Sequence, residues 1–166
     1  MKHLINLLLS IFLLSSCYKP VYTEYFDDEN YTEFKTHEIL IGIPGDRLLK
    51  IFASRRCPGK TICHVTDVKI MLTLETKFSF LEGKNFYIST SNETIDLNHR
   101  RYNFDYDPIS KYKDGTSGVV KEKWIVWIKK DEFEKITKNE NVSFLIGEYN
   151  FPVPKQGLDK WEILIT

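Results

Sequence analysis

The sequence predicts a mainly β protein, an antiparallel sheet or β-sandwich with one or two short helices near the C-terminus. Three observations predict it. Val65, Val68, Ile70, Leu72 and Leu74 fall largely on alternate positions, as a strand with one buried face requires. Trp124-Ile125-Val126-Trp127-Ile128 is apolar on both faces, which suits a central strand covered on each side. Turn-forming runs punctuate the chain at Pro44-Gly45-Asp46, Pro58-Gly59-Lys60, Gly83-Lys84 and Asp114-Gly115.

Between those turns the expected strands are Glu38 to Ile43, Arg47 to Ala53, His64 to Leu74, Asn85 to Thr90, Arg101 to Tyr106, Val119 to Lys129 and Val142 to Ile146. Asp131-Glu132-Phe133-Glu134 then opens a short helix, with Asp131 as cap and Glu134 reaching back in a capping box. After Pro154, Leu158, Trp161 and Ile165 share one side of a terminal helix, the reading preferred over a strand with Trp161, Ile163 and Ile165 aligned. On this reading Trp124, Val126 and Ile128 face one side of the central strand and Ile125 and Trp127 the other, all of them core.

The chain begins with Met1-Lys2-His3 and an apolar run, Leu4 to Leu14, broken only by Asn6 and Ser10. That is the pattern of an export signal, and it is too short to span a bilayer, which takes about 20 apolar residues. The run ends in Leu14-Ser15-Ser16-Cys17, which resembles the lipobox of bacterial lipoproteins. The resemblance covers the first seventeen residues. It implies cleavage before Cys17, a thioether-linked diacylglycerol on its sulfur and an acyl chain such as palmitate on its new amino group. Each buried methylene contributes about 0.8 kcal/mol, so two or three chains anchor stably. Tyr18, where many inner-membrane lipoproteins have aspartate, implies the outer membrane by analogy. An ordinary secretory signal is the alternative, and it leaves Cys17 without a role.

The domain organisation that follows is a signal peptide at 1–16, a lipidated tether at 17–37 and one β-rich domain at 38–166. Residues 18 to 37 are acidic and tyrosine-rich without a helical apolar stripe, and fully extended they reach roughly 70 Å. An ordered first strand is the alternative for this segment.

Cys57 and Cys63 are the remaining cysteines, and in an oxidising compartment they are expected to pair across Pro58-Gly59. The competing readings make Cys57, Cys63 and His64 metal ligands, or Cys63 a nucleophile beside a histidine. His37 and His99 sit among polar residues without ligand spacing. Asp105 and Asp107 could share a calcium ion with Asp96 or Asp114, against the plainer reading of a polar strand side carrying Asn103, Asp105 and Asp107. No phosphate-cradling glycine loop, nucleophile elbow or His-Glu-x-x-His helix is present. No cofactor, metal or catalytic residue is expected.

Charge argues against nucleic acid as a partner, since Lys plus Arg and Asp plus Glu both number 23 and are interleaved. Phe133-x-x-Ile136, Asn141 to Gly147 and Phe151 resemble a pattern of uncharacterised exported bacterial proteins, in which a short helix leads into a strand and a tight turn. That resemblance implies no activity. The functional expectation is a membrane-anchored envelope lipoprotein, held by lipid on Cys17, that binds a protein or glycan partner. The alternatives are an immunity or inhibitor lipoprotein against a toxin or lytic enzyme, and a hydrolase of envelope polymers built on Asp105, Asp107 and His99.

Overall fold

The computed structural model describes residues 20–43, 47–76, 80–98, 102–109 and 119–166, with the backbone alone at 47, 102–109, 119 and 120. Cys17, His99 and Asp114 lie outside the described residues. The fold is mainly β, and the described residues form two antiparallel sheets and two short helices.

The main sheet contains β1 (Val21–Phe26), β2 (Tyr31–Thr36), β3 (Ile39–Ile43), β4 (Arg47–Pro58), β5 (Asp67–Thr76), β8 (Tyr102–Ile109) and β9 (Val119–Lys129). Its order is β1-β2-β4-β5-β9-β8, and β3 pairs with the first half of β4 on the side where β2 pairs with the second half. A second sheet, in the order β11-β10-β6-β7, is built from β6 (Phe86–Ser89), β7 (Thr94–Asp96), β10 (Ser143–Ile146) and β11 (Tyr149–Pro152). Helices α1 (Lys130–Thr137) and α2 (Lys155–Glu162) complete the described elements.

Period-two alternation on β3, β4, β5 and β9 explains the core. Ile39, Ile41, Leu49, Ile51, Val68, Ile70, Leu72, Leu74, Trp124, Val126 and Ile128 all fall on one face and are buried. Phe133 of α1, Phe144 of β10 and Trp161 of α2 pack into the same core, with the Trp161 ring 5.7 Å from Phe133 and 6.3 Å from Phe144. Phe86 of β6 stacks on Trp124 at 4.2 Å. Gly157 shows how closely α2 approaches β3: a Cβ there would stand 2.4 Å from the Ile39 Cδ1, so any larger residue would displace the Ile39 side chain.

Several expectations require correction. Residues 21–36 are not a tether but a hairpin paired along its whole length, whose second strand joins the main sheet through β4. Three residues, Tyr18 to Pro20, separate Cys17 from β1. The β4 strand runs on to Pro58 because that hairpin supplies partners for its second half. Between the two ladders, the Thr36 hydroxyl accepts from the Ala53 amide at 3.1 Å and donates to the Ala53 carbonyl at 3.3 Å, filling the break between β2 and β3. β5 starts at Asp67 rather than His64, and the short strands β7 and β11 have no counterpart in the sequence reading.

The capping box is absent. Strand β9 passes directly into α1, Lys129 is the N-cap without a side-chain bond, and the Lys130 amide donates instead to the Thr66 carbonyl at 2.8 Å. Glu134 pairs forward with Lys138. The terminal segment is helical, with Leu158 and Trp161 buried on its inner side.

The second face of β9 departs furthest from expectation. Ile125 and Trp127 are only partly buried, and they share the outer face of the sheet with Lys69, Met71 and Arg56 rather than a second core layer. The two tryptophans should therefore respond differently to truncation. Trp124→Ala removes a ring enclosed by Phe86 and Leu72 and is expected to cost about 3 to 5 kcal/mol. Trp127→Ala is expected to lower the melting temperature by only a few degrees. Thermal unfolding of the two variants checks this, and equal losses would restore the two-sided core.

Candidate functional site

Among the described residues, the outer face of the main sheet carries a dense group of charged and aromatic side chains. Glu33 of β2 lies opposite Arg56 of β4, and Lys35 lies opposite Ser54. Ser54 is in turn opposite Lys69 of β5, and Lys69 is opposite Trp127 of β9. Alternation sends these residues to one side of four successive strands.

Glu33 is the centre. Its Oε1 accepts from Lys69 Nζ and from the Ser54 hydroxyl at 2.8 Å, with Arg56 Nε at 3.7 Å; Lys35 Nζ stands 4.0 Å from Oε2. Three cations thus converge on one carboxylate. Glu33 and Lys69 are each only 4% exposed, so both charges depend on each other for solvation that water does not supply.

Aromatic rings pack among the cations. The Arg56 guanidinium lies 4.3 Å from the Tyr31 ring centre and 5.9 Å from that of Trp127, while Lys35 Nζ lies 5.0 Å from Phe52 and 5.6 Å from Tyr22. Phe26 stacks on Tyr31 at 4.7 Å. Such contacts attract a cation to the ring face and hold long side chains in place.

Burial works against ionising Glu33, but the bonds from Lys69 and Ser54 and the charges of Lys69 and Lys35 outweigh it and hold its carboxyl below the ordinary range. Burial also lowers Lys69, with the Glu33 bond and charge resisting and Arg56 and Lys35 assisting. Ionised Glu33 consequently adds stability above its ordinary pKa of 4.5, and that stability is lost as pH falls through its lower folded value. Lys69 contributes in the other sense: folding disfavours its charged form, and this cost is relieved as pH rises toward 10.5.

At the Pro58 end of β4, Cys57 and Cys63 are joined by a disulfide, with their α-carbons 5.3 Å apart. Both sulfurs are consumed by that bond, which removes the readings of Cys57, Cys63 and His64 as metal ligands and of Cys63 as a nucleophile. The closed loop rests on the β1–β2 turn. The Gly59 amide donates to the Asn30 carbonyl at 2.7 Å, the Thr32 hydroxyl donates to the Gly59 carbonyl at 2.6 Å, and Lys60 Nζ lies 4.5 Å from the Tyr25 ring centre. Cys63 Sγ is 3.6 Å from the Arg56 carbonyl oxygen. Next to Cys63, Ile62 is 79% exposed.

A second feature is a cleft of about 410 Å³ beside the Phe86–Trp124 stack, lined by residues that include Lys84, Asn85 and Asn98. Nearby, the fully buried Glu122 accepts from the amides of Phe80 at 2.7 Å, Leu81 at 3.0 and 3.1 Å and Glu82 at 3.3 Å. This carboxylate holds the loop that walls the cleft. Asn98 is likewise engaged, accepting from the Phe86 amide and donating to Asp96.

The other carboxylates singled out from the sequence are dispersed. Asp96 sits on β7 of the second sheet, and Asp105 and Asp107 lie on β8, opposite Lys123 and Lys121, with their side chains outside the description. His37 is exposed beside the Tyr22 ring, 5.5 Å away. Among the described residues no group of three His, Cys, Asp or Glu side chains is placed to hold a metal, and no helix is long and apolar enough to cross a membrane.

No family model, curated protein or solved structure matches this chain. The site therefore rests on its own geometry.

The residues missed at the outer face were Glu33, Ser54, Arg56 and Lys69. The polar phase of β5, Asp67, Lys69, Met71, Thr73 and Glu75, is mostly charged or polar and gave no local sign that Lys69 is buried.

Glu33→Gln should cost about 3 to 5 kcal/mol, because it leaves Lys69 buried without a counter-charge. Glu33→Gln combined with Lys69→Met should recover part of that loss and should weaken less than the parent on acidification below about pH 4.5. Urea unfolding across pH tests both points. A double variant no more stable than the single one would show that the pair does not act as a unit.

Proposed function

We propose that the protein is a lipid-anchored lipoprotein of the bacterial envelope, held through Cys17 and destined for the outer membrane, that acts by binding a protein partner rather than by catalysis. The lipobox Leu14-Ser15-Ser16-Cys17 supports the anchor. The observation that carries the binding role is the disulfide-pinned end of the main sheet. There Arg56 lies between Tyr31 and Trp127, and Ile62 stands exposed beside Cys63 in the adjoining loop.

Arg, Trp and Tyr are the residues that most often dominate the binding energy of protein interfaces. Closing the loop between Cys57 and Cys63 fixes Ile62 before any encounter, so little freedom is lost on binding. The cation excess around Glu33 favours an acidic partner surface, with an apolar recess to receive Ile62.

A photo-crosslinking residue at position 62, in protein expressed with its own signal, is expected to capture a discrete envelope protein, and Arg56→Glu should reduce that capture at least about tenfold if the charge pairing is worth more than 1.4 kcal/mol. The same probe at position 159, on the exposed side of α2, is the control. Equal capture at both positions, or capture unaffected by Arg56→Glu, would refute the interface.

A further inference from the structure

We propose that the anchor-proximal corner of the outer sheet face, made by Tyr22, Leu40 and Leu48 with Lys35 and Lys50, rests in the headgroup layer of the bilayer. This rests on the lipid anchor proposed above and adds an orientation to it.

The first argument is length. Cys17 is four residue steps from Val21, the first residue of β1, and even fully extended those steps reach roughly 14 Å. A lipid on Cys17 therefore brings β1 to the membrane surface, where a tether of twenty residues would have held the domain clear. Val21 lies opposite Thr36, and Leu40 follows Thr36 by four residues, so the corner begins within a similar distance of the Val21 end of β1.

The second argument is the surface itself. Leu40 is 54% exposed, Leu48 47% and Tyr22 39%. Leu40 lies opposite Lys50 and Gly42 opposite Leu48, so the two leucines are diagonal neighbours on the outer face. Gly42 leaves Leu48 uncovered: even a Cβ there would meet nothing within 4 Å. Farther along β4 on this face Phe52 is buried, and Met71, Ile125 and Trp127 are partly covered. Apolar groups flanked by lysines suit the headgroup region, where leucines enter the acyl boundary and ammonium groups stay with the phosphates. Glu75 lies beside Leu48 on β5 and limits the positive charge, so the apolar contribution is the larger one.

The geometry also separates the two ends of the sheet. Phe26, at the far end of β1, is about 17 Å from Val21, five strand residues away. Docking at Leu40 and Leu48 leaves the disulfide loop and Ile62 directed away from the anchor.

The test uses full-length lipidated protein reconstituted into phosphatidylethanolamine–phosphatidylglycerol vesicles that carry a headgroup spin label. Bimane is attached in separate samples through Leu40→Cys, Leu48→Cys and Asp159→Cys. Asp159 is the control, exposed on α2, which packs on the opposite side of the sheet. Bimane at 40 and 48 is expected to lose fluorescence to the spin label while bimane at 159 keeps it. Protein that carries acyl chains by mass and sediments with the vesicles, yet shows no greater quenching at 40 and 48 than at 159, overturns the docking and leaves the anchor intact. Protein without acyl chains overturns the anchor, and the docking with it.

Discussion

The buried contact between Glu33 and Lys69 binds the N-terminal hairpin to the body of the protein. It spans β2 and β5 across the intervening β4, and Ser54 and Arg56 on β4 complete it. Two charges withdrawn from water stabilise a fold only when each meets the other in good geometry. That condition holds at one register of β2 on β4. A one-residue slip would turn Glu33 into the inner side of the sheet and strand Lys69 alone. The pair therefore does more for specificity of register than for gross stability. The hydrophobic core supplies the latter.

From that register the two faces of the sheet acquire separate roles. The inner face is continuous with α1, α2 and the second sheet, and its tryptophan, Trp124, is enclosed. The outer face has no such layer among the described residues and is closed by its own cations lying across aromatic rings. Arginine and lysine cover apolar surface with their stems while keeping their charges near water. Residues such as Phe52 can then be buried on a face that still leaves Arg56 exposed and Trp127 partly so. Under the proposed anchor on Cys17, the same register sets how far that residue can stand from the sheet, and so which end of the domain would meet the membrane.

How far this was legible in the sequence depended on the distance over which the decisive contacts act. The alternation of Val68 to Leu74 and the apolar run at Trp124 to Ile128 are local, and they located β5 and β9. Local spacing also placed the Cys57–Cys63 bond and both helices. The hairpin of β1 and β2 has a weak local signal, since Tyr22 to Thr36 mixes acids with aromatics. What orders it is Ser54, 21 residues beyond Glu33, and Lys69, 36 residues beyond. The polar side of β5 looked like ordinary solvated surface for the same reason: the partner of Lys69 lay in a segment read as a tether. Trp127 was assigned to a second core layer because periodicity reports that a residue is apolar, not whether another element arrives to cover it.

Native-state hydrogen exchange of the Phe34 and Lys35 amides, in the parent and in Glu33→Gln, tests most directly whether this hairpin belongs to the folded domain. In the parent these amides should exchange only with the free energy of global unfolding, together with those of Ile70 and Val126. In Glu33→Gln they should exchange through a lower-energy local opening while Ile70 and Val126 still open together. Rapid exchange of Phe34 and Lys35 in the parent, with Ile70 and Val126 protected, would contradict the account and return residues 21–36 to the role of a tether.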